Sequence, residues 1–315
     1  MRDHGGGLDA AIAVYGGTRA GWLDLSTGIN PVPYPLGQMP ADAWTALPDH
    51  TAMERLLTAA RRFWGVPDGA DIMAAGGASA LIAAMPRLAK QTDRRVYIPA
   101  PTYNEHKAAF VAAGFDVGEP AGSNEPVQVL VHPNNPTGHV HPTDAATSRG
   151  LNIIDESFCD VTPGESHVAQ AAKSGVIILK SFGKFWGLAG ARLGFAICAP
   201  DAAQTLRDTL GPWAVSGPAL DIGARALEDR AWADATRARL AADAARLDEL
   251  TGWPLVGGTD LFRTYHVQNA VKIQQKLAHH HVWSRVFPYS QTWIRLGLPH
   301  PARWDQLAAA LKDTR

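Results

Sequence analysis

Gly175-Val176-Ile177-Ile178-Leu179-Lys180-Ser181-Phe182-Gly183-Lys184-Phe185-Trp186-Gly187-Leu188-Ala189-Gly190-Ala191-Arg192-Leu193-Gly194-Phe195-Ala196-Ile197-Cys198 decides how this chain is read. The apolar run Gly175 to Leu179 has the length of a buried strand and is too short for a helix; Leu193 to Cys198 reads the same way. Between them lies a glycine-rich loop in which Lys184 follows Ser181 by three residues and precedes Arg192 by eight. Burial disfavours a lysine's charged form unless the amine is paired or covalently used. One chemistry needs this combination: a lysine amine forms a Schiff base with an aldehyde cofactor, while a serine and an arginine nearby hold that cofactor's phosphate.

The spacing Ser-x-x-Lys with Arg eight residues on resembles the pyridoxal-phosphate loop of the fold-type I, class I/II aminotransferases. Within them it is most similar to the branch of histidinol-phosphate aminotransferases and threonine-phosphate decarboxylases. The resemblance implies a Schiff base at Lys184 and a phosphate held by Ser181 and Arg192. Taken alone, the loop is also readable as a surface turn with a solvated lysine, so the other segments carry the decision.

Upstream, Ile72-Met73-Ala74-Ala75-Gly76-Gly77-Ala78-Ser79 reads as a strand, a glycine turn and a helix start, where aligned N–H groups suit an anion. Gly77, Ala78 and Ser79 match the family's phosphate cradle, whose Asn and Glu are here Gly76 and Ala80. Pro101-Thr102-Tyr103 follows the strand Arg95 to Ile98, and the resemblance sets the Tyr103 ring against the pyridine. The strand Val127 to Val131 runs into Asn134-Asn135-Pro136-Thr137-Gly138, which matches the family's Asn-Pro-Thr-Gly and implies a bond from Asn135 to the ring oxygen and a place for it near the substrate carboxylate. Asp155 ends the apolar run Leu151 to Ile154, where doubly wound sheets place their ligands. The family's carboxylate there pairs with the pyridinium nitrogen. A strand-end aspartate is also a common helix cap, but Asn135, Asp155, Lys184 and Arg192 occur in the family's order. Phe158 stands where aminotransferases often carry a tyrosine.

The resemblance extends to both ends of the chain. His4-Gly5-Gly6, with Asp24-Leu25-Ser26-Thr27-Gly28-Ile29-Asn30-Pro31, is similar to the start of threonine-phosphate decarboxylases, and implies that His4 and Gly28 help bind substrate. Read without the family, His4 belongs to a flexible arm. At Leu47-Pro48-Asp49 the family's Tyr-Pro-Asp has lost its tyrosine, so that cross-subunit contact with the cofactor phosphate is absent or comes from a group such as His50. Arg295, inside the strand pattern Thr292 to Leu298, is costly without an anionic partner. The resemblance gives it the substrate α-carboxylate, and gives Arg285 a distal phosphate.

The fold expected is α/β: a large α/β/α domain over 45–215 with a mostly parallel sheet, and a smaller α/β domain from 1–44 and 216–315. Residues 219–250 have helical periodicity, as one long helix or two in succession. A net charge of -1 gives no reason to expect nucleic acid or an anionic membrane as partner. No apolar h-region or stretch of 18 apolar residues is present, so a cytoplasmic location is expected. Cys159 and Cys198 read as buried thiols. His279-His280-His281 lacks acids or thiols at ligand spacing and reads as structural or exposed, and no metal is expected. The family builds its sites at a homodimer interface. The activity implied is pyridoxal-phosphate-dependent decarboxylation of an amino-acid phosphate; the rivals are an aminotransferase and a cofactor-fold scaffold without catalysis.

Overall fold

The computed structural model describes residues 4–89, 93–118, 126–146 and 150–314. Contacts divide the chain into two units, 34–234 and 1–33 with 235–315. These bounds differ from those expected from the sequence. The helix Gly217–Glu228 belongs with the larger unit, because its apolar face (Leu220, Ile222, Ala224, Leu227) is buried there. Gly223 is seated so closely that a Cβ would stand 2.6 Å from Leu193 and 2.9 Å from Leu56.

The larger unit is built on a seven-stranded sheet in the order Asp71–Ala75, Gly194–Cys198, Val176–Ser181, Leu151–Asp155, Val127–Val131, Arg95–Tyr97, Asp116–Gly118. Gly194–Cys198 runs antiparallel to both neighbours, and the other pairings are parallel. The central strands Val127–Val131, Leu151–Asp155 and Gly194–Cys198 are buried at every position, as strands of a sheet covered on both faces must be. That burial is why they read as largely apolar runs, with Gln128 and Asn152 the buried polar exceptions before Asp155, rather than as alternating ones. Register places Asp155 beside Val131 and Leu179, and Ser181 beside Gly194. The carboxyl ends of the parallel strands therefore carry Ala75, Tyr97, Val131, Asp155 and Ser181 to one edge of the sheet.

In the smaller unit, Arg285–Phe287, Ser290–Gly297, Phe262–His266 and Leu255–Thr259 form an antiparallel sheet in that order. Leu23–Asp24 pairs in parallel with Val282–Trp283. The 219–250 region is two helices, Gly217–Glu228 and Arg230–Thr251. The break falls at Asp229, whose carboxylate accepts the Trp232 N–H at 2.9 Å and so starts the second helix. In the histidine run, His280 donates to Asp313 at 2.5 Å, while His279 and His281 pack on the rings of Tyr15 and Trp22.

Candidate active site

Eight of the residues singled out by the sequence line one cavity of the larger unit: Ala78, Ser79, Tyr103, Asn135, Asp155, Ser181, Lys184 and Arg192. They arrive there for a common reason. Each sits at, or within a few residues of, the carboxyl end of a parallel strand, or in the loop that follows Ser181. Gly77, the ninth, has φ 92 and caps the helix Ala78–Ala84. A Cβ on it would come within 2.4 Å of the Arg192 guanidinium, and one on Gly194 within 2.4 Å of the Ala78 nitrogen. Glycine at both positions thus lets Arg192 lie directly over the 77–79 turn. Arg192 itself is held at φ 51, ψ 58, a left-handed conformation that costs an L-residue about 1–2 kcal/mol. Its Nη1 donates to the Ala189 carbonyl at 3.0 Å.

Asp155 is buried, and its carboxylate is supported by three hydrogen bonds. The Ser157 N–H and hydroxyl donate to Oδ1 at 3.0 and 2.5 Å, and His106 Nε2 donates to Oδ2 at 2.8 Å. Burial alone would raise its pKa. The His106 ring and the Ser157 bonds outweigh burial and hold the carboxyl below its usual range, so it is ionised at neutral pH. Tyr103 heads the helix Asn104–Ala112 and meets the His106 ring edge-on. Burial, then the charge of Asp155, pushes its phenol up to about 12, which keeps it protonated. Lys184 is half-buried with Nζ 5.3 Å from the Phe158 ring centre.

Three contributors to this arrangement escaped the sequence reading. His106 lies three residues after Tyr103 on the same helix, a spacing that shares a face. Ser157 lies two residues after Asp155, the offset of a local side-chain turn. Asn134 ties two site loops together: its Nδ2 donates to the Pro101 carbonyl at 3.0 Å and to Thr137 Oγ1 at 2.8 Å, and Thr102 Oγ1 donates to its Oδ1 at 2.5 Å. That network fixes Tyr103 relative to Asn135.

On the far side of the strand that ends in Asp155, Glu156 points into a separate buried network. It pairs with Lys180 at 2.5 Å and accepts from Ser166 and the His167 N–H. Burial pulls the Lys180 ammonium down, but Glu156 and Asp160 outweigh it and hold it above its ordinary value. Glu156, His132 and Cys159 stand close enough to hold an ion. Yet both His132 nitrogens are engaged, with the Glu165 carbonyl and the His141 N–H, and Lys180 already neutralises Glu156.

The other predicted residues lie in the smaller unit. Arg285 and Arg295 are partners across adjacent strands. Arg295 is buried and donates to the Ser26 carbonyl at 2.7 Å. Burial, then repulsion from Arg285, lowers its pKa to about 10, which leaves it charged at neutral pH. Gly28 is buried in the 24–31 segment, and His4 is exposed just ahead of Gly5 and Gly6, whose backbone rests on Ser26. In the larger unit, Leu47 is exposed, and His50 is an exposed partner of Glu54 at 3.4 Å.

The cavity's groups suit pyridoxal phosphate. The backbone nitrogens of Ala78 and Ser79, the Ser79 and Ser181 hydroxyls and the Arg192 guanidinium form a donor set for a phosphate, while the Gly77 N–H is taken by the Ala75 carbonyl at 2.7 Å. The ionised Asp155, three of whose acceptor sites are taken, keeps one for a protonated ring nitrogen.

Comparison with known proteins agrees with that chemistry. The sequence model for aminotransferase class I and II matches residues 42–311. A threonine-phosphate decarboxylase from Sinorhizobium sp is 39% identical over 98% of this chain and 97% of its own. Another, from Pseudomonas aeruginosa, is 39% identical over 99% of this chain and 97% of its own. The fold is that of the histidinol-phosphate aminotransferase from Sinorhizobium meliloti, solved in complex with pyridoxal-5'-phosphate: TM-score 0.83 at 19% identity, covering 98% of this chain and 95% of that one. With the family's model matched over most of its length and full-length relatives at that identity, the chain belongs to the aminotransferase class I and II family.

Proposed function

We propose that this protein catalyses the pyridoxal-phosphate-dependent decarboxylation of L-threonine O-3-phosphate to (R)-1-amino-2-propanol O-2-phosphate, a step of cobalamin biosynthesis. The observation that carries it is the placement of Lys184 and Asp155 in one cavity wall, in a chain 39% identical along its whole length to two threonine-phosphate decarboxylases. In this reading Lys184 holds the cofactor's aldehyde carbon, Asp155 its ring nitrogen, Asn135 its ring oxygen and Tyr103 its ring face. Gly77, Ala78, Ser79, Ser181 and Arg192 hold its phosphate. When bound, the cofactor supplies an electron sink for the pair left on Cα by a broken bond.

The chain's own residues decide which bond breaks. Arg295 is assigned the substrate carboxylate through a bidentate pair, a group the family pattern also gives to Asn135, and Arg285 and His4 are assigned the distal phosphate. A clamp at both ends fixes the rotation about Cα. If this clamp presents the Cα–carboxylate bond, that bond would break, CO2 would leave, and the Lys184 ammonium would return a proton from Nζ to Cα. If it presents the Cα–H bond instead, the same lysine would remove that proton, which is the course of the competing aminotransferase reading.

The protein's partners in this proposal are a small amino-acid phosphate and a second copy of the chain, with no nucleic acid or membrane. Among the described residues no helix is long and apolar enough to cross a membrane. The free, buried Cys159 and Cys198 suit a reducing cytoplasm. The test is incubation of the purified holoenzyme with threonine phosphate. Release of CO2 with the amine phosphate is expected, and a keto acid in its place would overturn the proposal. Lys184→Ala is expected to remove the visible absorption of the covalently held cofactor and to lower turnover by roughly 10²–10⁴-fold; a variant as active as the parent would overturn the role given to Lys184.

A further inference from the structure

Ser26 is almost wholly buried, and its polar atoms join two things that lie far apart in sequence. Its Oγ accepts the Gly6 N–H at 2.7 Å and donates to Asp24 Oδ1 at 2.6 Å, and its own N–H donates to the same oxygen at 2.9 Å. Its carbonyl oxygen accepts from Arg295 Nη2 at 2.7 Å. Gly5 crosses that same carbonyl so closely that a Cβ would stand 2.3 Å from it. The segment is pinned from the other side as well: the Gly297 N–H donates to the Leu25 carbonyl at 2.7 Å, and a Cβ on Gly297 would stand 2.2 Å from the Thr27 oxygen. The 25–27 backbone is therefore clamped between the N-terminal arm and the strand that carries Arg295.

We propose that Ser26 is a positioning residue that couples the seating of the His4–Gly7 arm to the orientation of the Arg295 guanidinium. The arm holds the Ser26 side chain by one bond and crowds its carbonyl with Gly5, while Arg295 bonds that carbonyl. A displaced arm lets the 25–27 segment shift, and with it the acceptor that aims Arg295. Coupling of this kind is reciprocal: whatever the arm does for Arg295, Arg295 does for the arm. The functional consequence rests on the assignment of Arg295 to the substrate carboxylate made above.

The experiment has two arms. The first follows amide hydrogen exchange at Gly6 in the holoenzyme and needs no turnover. Ser26→Ala is expected to speed exchange roughly five- to tenfold, the worth of one hydrogen bond. Arg295→Lys, which changes a residue bonded to Ser26 and not to Gly6, is expected to speed it as well. Unchanged Gly6 exchange in Arg295→Lys would overturn the coupling. The second arm measures steady-state kinetics with threonine phosphate. Ser26→Ala removes the seat from below and Gly5→Ala pushes the arm off from above. Both are expected to raise KM by a similar factor and to change kcat less. A freed Gly6 with KM unchanged in both variants would equally overturn the proposal. An unaltered enzyme that does not decarboxylate threonine phosphate counts against the proposed function, and the Gly6 exchange then decides the coupling by itself.

Discussion

Asp155 shows how a single carboxylate is prepared for a cationic partner. Burial works against its charge, and three hydrogen bonds from Ser157 and His106 restore it. Asn at this position keeps the shape and removes the charge, so Asp155→Asn is expected to retain the fold and lose roughly 10²–10³-fold in kcat, the scale of one lost preorganised electrostatic group. Stopped assays on cofactor-saturated protein measure it. His141 makes the opposite kind of prediction, about stability. Burial, followed by the neighbouring rings of His139, His132 and His167, lowers its pKa to about 4. An unfolded histidine takes up its proton near pH 6.5, so between that value and pH 4 the unfolded chain binds the extra proton and folding stability falls with falling pH. Discounted for partial exposure, the loss is about 2 kcal/mol. His141→Gln should flatten the denaturation midpoint over that window. The carboxylates Asp155 and Glu156, with lowered values of their own, shed their contribution only below about pH 4.

At the scale of elements, the loop after Ser181 is held from behind by aromatic rings. Trp186 is wholly buried and stacks on Phe182 at 5.3 Å and 13°, and on Trp232 at 5.3 Å and 15°. Phe63 and Phe185 meet it at 5.3 and 5.1 Å, and its carbonyl accepts the Tyr34 N–H at 2.9 Å. The glycines that let the loop approach the cavity cannot stiffen it, and this slab does. Trp186→Ala is expected to cost about 3–5 kcal/mol, measured by urea denaturation, and to weaken cofactor retention in the variant that still folds. Trp186→Phe should keep most of both. The apolar residues of the loop were legible in the sequence as a run around Lys184. Their partner Trp232 was not, because it comes from a helix whose arginine- and alanine-rich composition reads as a solvated face.

For the whole molecule, the exposed apolar residues Leu36, Trp44, Leu47 and Trp213 matter most. All four line one groove of the larger unit, beside Gly187, Leu188, Gly190 and Ala191 of the loop after Ser181. Exposed apolar patches of this kind mark interaction surfaces, and the occupant we propose for this one is the second copy of the chain. If the proposed dimer forms through this groove, a double variant, Trp44→Ser with Leu47→Asp, is expected to convert it to monomer in light scattering and to leave the monomer's denaturation midpoint within about 1 °C, since both side chains are largely exposed in their own unit.

The sequence by itself determined the buried strands, the residues at their ends and the order of the set proposed to hold the cofactor. Those features are local: an unbroken apolar run records burial on both faces, and a glycine beside a lysine or arginine records a close approach. Tertiary structure alone decided the rest. Gly194–Cys198 turns antiparallel within a sheet that is otherwise parallel, Gly217–Glu228 joins the larger unit, His106 reaches Asp155 across 49 positions, and Ser26 meets Arg295 across 269. Contacts of that separation leave no periodicity to read, because they are fixed by which surfaces remain to be buried and which buried polar atoms remain to be paired once the strands have already formed.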